Sequence, residues 1–280
     1  MKVIKRIEEL SEAIIRYKKL GKKIGFVPTM GYLHEGHLSL VKKAVRDNDI
    51  VVVSIFVNPA QFGPKEDFKH YPRNLKRDQK LLRSVKTDIL FAPTVHEIYP
   101  PGFRHYLQPG PLARYLCGPK RPGHFRGVVT VVRRLFDLVK PDRAYFGEKD
   151  YQQVRIIEAM VKTHRLKVLI RTRPIVREKG GLAMSSRNRY LSAENRPRAL
   201  SLYQSLKKAE KLILKGEKNP VVVKKSIGFV LKDKVDKIDY IAIADPKTLK
   251  PVKKIKLPVL IALACFISPT RLIDNLVIKR

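Results

Sequence analysis

Residues 49–57 read Asp-Ile-Val-Val-Val-Ser-Ile-Phe-Val, a nearly unbroken β-branched run. A strand with one wet face alternates apolar and polar residues. This one does not, so it is expected to be buried on both faces, as in a parallel sheet covered by helices on either side. The surrounding pattern agrees. Ile24–Val27, Asp88–Phe91, Ala144–Phe146 and Lys167–Val176 read as further strands. Between them, Leu38, Val41 and Val45 share one helical face, and Arg73–Val85, Phe125–Val139 and Tyr151–Thr163 read as helices, the second of these stopped by Pro141. Strand and helix alternating at this spacing imply βαβ units and a Rossmann-like parallel sheet. After Val176 the pattern changes. Helices at Ala193–Lys215 and near Val221–Leu231 precede two strands, Ile238–Ala244 and Pro258–Ile267, which reads as a smaller α+β domain. The fold class is therefore α/β, with a Rossmann-like domain over residues 1–176 and an α+β C-terminal domain over 177–280.

Composition excludes several classes. The most apolar segments, Asp49–Val57 and Leu257–Ile267, fall far short of the ~20 residues a membrane span needs. A cytoplasmic protein with no membrane association is the expectation. Cys117 and Cys265 lie far apart without C-x-x-C spacing, which excludes a disulfide framework or a cysteine zinc site. Two ordinary thiols are expected, with one disulfide between them left open. The chain carries 59 basic against 25 acidic residues, a formal charge of +34, so a polyanionic partner has to be weighed. The cations are scattered and no block of five appears. That fits a generally cationic surface better than a nucleic-acid interface, which would interleave aromatics with a basic stripe.

Ligands of open α/β sheets bind at the carboxyl ends of the strands, beside the point where strand order reverses. The loops after Val27, Val57 and Phe146 each carry an unusual cluster. PTMGYLHEGHLSLV, from Pro28, runs from a strand into a helix whose N-terminal N–H groups suit an anion. His34 and His37 flank Gly36 within it, one residue short of H-E-x-x-H, so a zinc protease is excluded. FVNPAQFGPKEDFKHYPR, from Phe56, places the neutral amides Asn58 and Gln61 where a hydroxyl or carboxylate can be recognised. AYFGEKDYQQ, from Ala144, opens a helix with Asp150 at the N-cap, Lys149 within reach of phosphate and Gln153 one turn in. GLAMSSRNRYLS, from Gly181, offers hydroxyls and an arginine. Taken singly, each cluster also admits a plain structural reading as caps, turns or a solvated lysine. The phosphate loop, the dinucleotide fingerprint, the nucleophile elbow and the kinase set are all missing.

The clusters gain meaning from their order. PTMGYLHEGH, FVNPAQF with YPR, RPGHFRGV (Arg121–Val128), FGEKDYQQ, GLAMSSRN and the late RLIDN (Arg271–Asn275) together closely resemble the pantothenate synthetase, or pantoate–β-alanine ligase, family. That family belongs to the nucleotidyltransferase superfamily with a His-x-Gly-His element. The resemblance implies an enzyme that activates pantoate with ATP as an acyl-adenylate and passes it to β-alanine. It implies an ATP site built from Met30, Gly31, Tyr32 and Leu33, then His34, Glu35, Gly36 and His37. Gly147, Glu148, Lys149 and Asp150 join it, with Val176 and the loop Met184, Ser185, Ser186, Arg187. His37, His34 and Lys149 are the implied catalytic groups, with His37 the acid that assists pyrophosphate. Gln61 and Gln153 are implied to hold pantoate, Gln61 also lying near β-alanine, and Asp78 to touch Mg²⁺ beside the phosphates.

A homodimer and a small domain that closes over the site come with the same resemblance. Alternatives to be separated are another adenylyl- or cytidylyltransferase of that superfamily, or a basic nucleic-acid-binding protein. The chain departs from the family pattern in three places. Gly180 stands where an acidic residue is usual, which is expected to loosen its loop; Ala60 replaces threonine; and Cys265–Thr270 is atypical before RLIDN.

Overall fold

The computed structural model describes residues 1–64 and 66–279, so Lys65 of the second cluster lies outside the described residues. The chain separates into two compact units, Met1–Gly110 with Arg121–Pro174, and Pro111–Lys120 with Ile175–Arg280.

The first unit contains β1 (Lys2–Ile4), α1 (Ile7–Lys19), β2 (Ile24–Thr29), α2 (Glu35–Asp47), β3 (Ile50–Ile55), α3 (Leu75–Ser84), β4 (Ile89–Phe91), α4 (Val95–Ile98), α5 (His124–Val139), β5 (Arg143–Gly147), α6 (Tyr151–Thr163) and β6 (Leu169–Arg173). Its six strands form one parallel sheet in the order β1-β4-β3-β2-β5-β6. The β-branched run is β3, buried along its length except at Ile55. From β2 the chain builds outward through β3 and β4, then returns to the opposite side of β2 with β5. The strand order therefore reverses between β2 and β5, and a ligand crevice is expected outside their carboxyl ends.

Pro28 does not end β2 where the sequence suggests. The strand continues to Thr29 because pairing with β5 stops at Phe26, while β3 pairs on to Thr29. Beyond Phe26 the β5 side makes no claim on a backbone N–H, so a proline is tolerated inside a central strand. The core on one face gathers Val27, Leu33, Val41, Val53, Leu82 and Tyr145. Helix α5 is amphipathic, burying Phe125, Val128, Val132, Leu135 and Val139 while Arg126 and Asp137 stay exposed.

The second unit contains α7 (Asn195–Leu214), α8 (Pro220–Leu231), β7 (Lys237–Ala244), β8 (Val259–Ile267) and β9 (Thr270–Ile278). The sequence suggests two strands; the structure has three, antiparallel, in the order β7-β8-β9. The missed hairpin turns on Ser268-Pro269, with Ser268 at φ 52°, and carries no Asn-Gly signal. The atypical segment before RLIDN is thus the end of β8 and its turn, with Cys265 buried against the unit's core. Both cysteines are free thiols.

Candidate active site

The loop after β2 is tied down before it reaches α2. Asp78 of α3 is 1% exposed. Its two carboxylate oxygens accept the backbone N–H of Leu33 and of Tyr32, each at 2.8 Å. Arg77 donates to the Leu33 carbonyl at 2.8 Å and lies over the Tyr32 ring. Thr29 Oγ1 takes the Gly31 N–H at 3.2 Å and gives its own proton to the Ser54 carbonyl. Gly31 adopts φ 84°, and a Cβ there would meet Ile55 at 2.9 Å. The loop geometry is over-determined. Asp78 thus braces the loop, each of its oxygens taking one backbone N–H. Burial pushes its carboxyl up, and the two N–H bonds oppose that shift.

The brace delivers His34 to the N-cap of α2 and His37 into its first turn, with ring centroids 4.0 Å apart. His37 Nδ1 accepts the His34 backbone N–H at 3.4 Å, which leaves Nε2 carrying the proton. Burial, then the charge on Lys149, holds His37 down at about 4. Burial, then His37 and Lys149, holds His34 at about 2. Both imidazoles are therefore neutral at pH 7. In this state His37 offers a neutral Nε2–H donor. His34 Nδ1 is buried without a hydrogen-bond partner, as expected of a ring nitrogen reserved for a ligand.

Across the switch point, Gly147 ends β5, and Glu148, Lys149 and Asp150 form one turn of 3₁₀ helix leading into α6. Asp150 sits at the α6 N-cap as anticipated, yet its side chain makes no capping bond and lies 3.4 Å from Lys149. Glu148 instead accepts the Thr172 hydroxyl at 3.0 Å. The structure thus brings His34, His37, Lys149 and Asp150 together beside two helix N-termini, an arrangement suited to a polyanion. Gln153 stands part-exposed in the first turn of α6.

Gln61 lies in a short 3₁₀ turn, Pro59–Gln61, after β3 and is 9% exposed. Its side-chain Nε2 faces Met30 Sδ at 3.0 Å, and its Oε1 accepts from Asn58 Nδ2 at 3.1 Å. Asn58, grouped with Gln61 as a recognition amide in the sequence, is 1% exposed and committed to internal bonds. It also donates to the Gly127 carbonyl and accepts from Ala60 N–H and the Tyr99 hydroxyl. The RPGHFRGV segment, to which the sequence assigns no role, acts on the same turn. A carbonyl can only accept, so His124 Nδ1 donates to the Gln61 carbonyl at 2.8 Å, and Nε2 accepts from Arg121 at 3.0 Å. Arg121 is held in turn by both oxygens of Glu66. Gly127 lets the turn lie against α5, since a Cβ there would stand 2.1 Å from the Ala60 carbonyl oxygen.

In the second unit, Met184 N–H donates to the Val176 carbonyl at 3.0 Å. Ser185 Oγ caps a 3₁₀ turn, Ser186–Tyr190, by accepting from Arg187 N–H. Ser186 is buried and Arg187 part-exposed. Asp274 of RLIDN holds Arg177 through both oxygens, and Arg177 reaches the Gly181 carbonyl. Asn188 binds Glu178 and the Ala183 carbonyl. Gly180 and Gly181 both have positive φ, so a glycine in place of an acidic residue fits this turn without strain. The loop is braced at several points.

A parallel sheet wound both ways from a switch point, with histidines, a lysine and helix N-termini converging there, defines a Rossmann-like α/β protein with an anion-binding site. Comparison with known proteins narrows this. The family model described as pantoate–β-alanine ligase matches residues 2–277. Pantothenate synthetase of Fervidobacterium nodosum is 55% identical over 279 residues, covering 100% of both chains. That of Thermotoga petrophila is 54% identical, covering 99% of this chain and 100% of the relative. The solved pantothenate synthetase of Thermus thermophilus is similar with a TM-score of 0.95 at 45% identity, covering 100% of both chains. A pantoate–β-alanine ligase of Francisella tularensis, solved as a complex with β-γ ATP and β-alanine, matches with a TM-score of 0.82 at 38% identity, covering 99% of this chain and 97% of that one. The chain belongs to the pantoate–β-alanine ligase family, whose members are ATP-dependent ligases joining pantoate to β-alanine.

Proposed function

We propose that this ligase works by two displacements at the β2–β5 switch point. A pantoate carboxylate oxygen attacks the α-phosphorus of ATP, the bond to the bridging oxygen breaks, and pyrophosphate leaves. The β-alanine amine then attacks the acyl carbonyl of the adenylate, gives up a proton, and AMP departs. The observation that carries this reading is the convergence of neutral His34 and His37 with Lys149 at the N-termini of α2 and α6.

A carboxylate approaching a tetra-anionic nucleotide meets strong repulsion. Fixed N–H donors and a lysine offset it most where charge builds up on the leaving oxygens. His37 Nε2–H and Lys149 are assigned to the phosphates leaving as pyrophosphate, and His34 to ATP binding. Residues 30–37 and 147–150 form the first unit's nucleotide site. Gln61 and Gln153 take pantoate, and Gln61 borders the approach of β-alanine. Mg²⁺ belongs to the reading as a companion of the triphosphate, with Asp78 the carboxylate bound to the His34 loop. Among the described residues no cluster of three acidic, histidine or cysteine side chains offers another protein site. A homodimer in the cytoplasm completes the proposal. Among the described residues no helix is long and apolar enough to cross a membrane.

Replacing Gln61 or Gln153 with alanine is expected to raise the KM for pantoate about 5- to 100-fold, as lost polar contacts to substrate cost about 1–3 kcal/mol each. The KM for ATP should stay within about twofold, a margin of about 0.4 kcal/mol. Gln152, one residue before Gln153, is buried at 6% exposure and so cannot serve as a neutral neighbouring control. Initial rates against each substrate decide the matter. Equal losses for ATP and pantoate would contradict the assignment.

A further inference from the structure

We infer that Tyr99 is a positioning residue: acting through Asn58, it fixes the Gln61 amide so that its Nε2 N–H donors, rather than its oxygen, are turned to the pantoate site. This rests on Gln61 being a pantoate-binding group.

The orientation follows from backbone groups whose roles are unambiguous. Ala60 N–H can only donate, and it meets Asn58 Oδ1 at 3.2 Å. The Gly127 carbonyl can only accept, and it meets Asn58 Nδ2 at 3.1 Å. Turning the Asn58 amide over would set N–H against N–H and oxygen against oxygen in a side chain that is 1% exposed. With Asn58 so defined, its second N–H falls to Gln61 Oε1 at 3.1 Å, and its second lone pair takes the Tyr99 hydroxyl at 2.8 Å. All four bonds that a carboxamide can make here are then used.

Gln61 inherits its orientation from this. Its oxygen is occupied, and its Nε2 turns to Met30 Sδ at 3.0 Å, a weak acceptor that a substrate oxygen would outcompete. The same residue is anchored at its backbone by His124. Tyr99 itself is held among aromatic rings, with Phe103 at 5.1 Å and Phe56 at 6.1 Å between centroids. Its ring therefore stays in place when the hydroxyl is removed.

The chemical consequence is one-sided recognition. Carboxylate and hydroxyl oxygens of a hydroxy acid can all accept from Gln61. Tyr99 needs no contact with substrate to enforce this.

The test is a double-mutant cycle on Tyr99→Phe and Gln61→Ala, with KM and kcat measured for each substrate and thermal unfolding followed in parallel. Gln61→Ala alone checks the underlying reading, and an unchanged pantoate KM would sink that reading itself. Given a raised KM there, Tyr99→Phe is expected to raise the pantoate KM about 3- to 10-fold, the effect of one buried hydrogen bond. ATP KM and kcat should stay within about twofold. In the Gln61→Ala background the Tyr99→Phe effect on pantoate should vanish, because no amide remains to orient. A purely structural role would add the same loss in both backgrounds and overturn the proposal, as would a wild-type pantoate KM for Tyr99→Phe alone. Asn58→Asp, which removes the donor and keeps an acceptor, should raise the pantoate KM more than Tyr99→Phe does. A wild-type value there would equally overturn it.

Discussion

With His37 replaced by alanine, the rate of adenylate formation is expected to fall about 10²–10³-fold, the usual effect of removing one fixed donor from a developing oxyanion. His37 Nδ1 is turned toward the His34 backbone, so the Nε2–H is the group left for the leaving phosphates. The pH dependence separates a neutral donor from an ionised acid. An acid with an ordinary histidine pKa near 6.5 would lose activity as pH rose through that value. His37 is held at about 4, so it has already lost its second proton well below pH 6.5. Pyrophosphate exchange should therefore not decline between pH 6.5 and 8 on account of this group. The same lowered value has a consequence for stability. Between about pH 4 and 6.5 the unfolded chain binds a proton that folded His37 does not, so this contribution is lost as pH falls through that window. Exchange rates across the pH range for the wild type, with His37→Ala at one pH, provide the check.

Replacing Asp78 with alanine should be the most damaging single change to the folded first unit. It strips the acceptors from the N–H groups of Tyr32 and Leu33, at a cost of about 1–3 kcal/mol for each buried donor. The loop bearing His34 then loses its brace, so adenylation should fall together with stability. Asp78→Asn retains one acceptor and should lose about half as much stability. Denaturant unfolding measures this, and a Mg²⁺ titration of activity sets the two readings of Asp78 apart. A metal ligand would show a raised Mg²⁺ requirement with stability intact. A brace shows lost stability with an unchanged Mg²⁺ requirement in the protein that remains folded.

Much of the first unit was legible because its signals are local and strong. The β-branched run of β3, the helix after Gly36 and the span of α6 each rest on periodicity within a dozen residues. Strand β1 went unseen because three residues show no period, and β9 because its turn lacks the usual glycine. Residue types and spacing singled out His34, His37 and Lys149, which the structure brings close together. What could not be read was which polar residues face one another across the chain. That Asp78 takes the N–H groups of Tyr32 and Leu33, more than forty residues away, is one such pairing. Asn58 resembles a substrate group until Gly127 and Tyr99, dozens of residues away, fill its bonds. The shift of His37 likewise depends on burial and on Lys149, which lies over a hundred residues further along.

The central claim is that pantoate is activated as an adenylate before any amine takes part. Exchange of labelled pyrophosphate into ATP, with pantoate present and β-alanine omitted, tests it most directly. Exchange should depend on pantoate, proceed without β-alanine, and drop about 10²–10³-fold in His37→Ala. Exchange that required β-alanine, or that ran without pantoate, would contradict it.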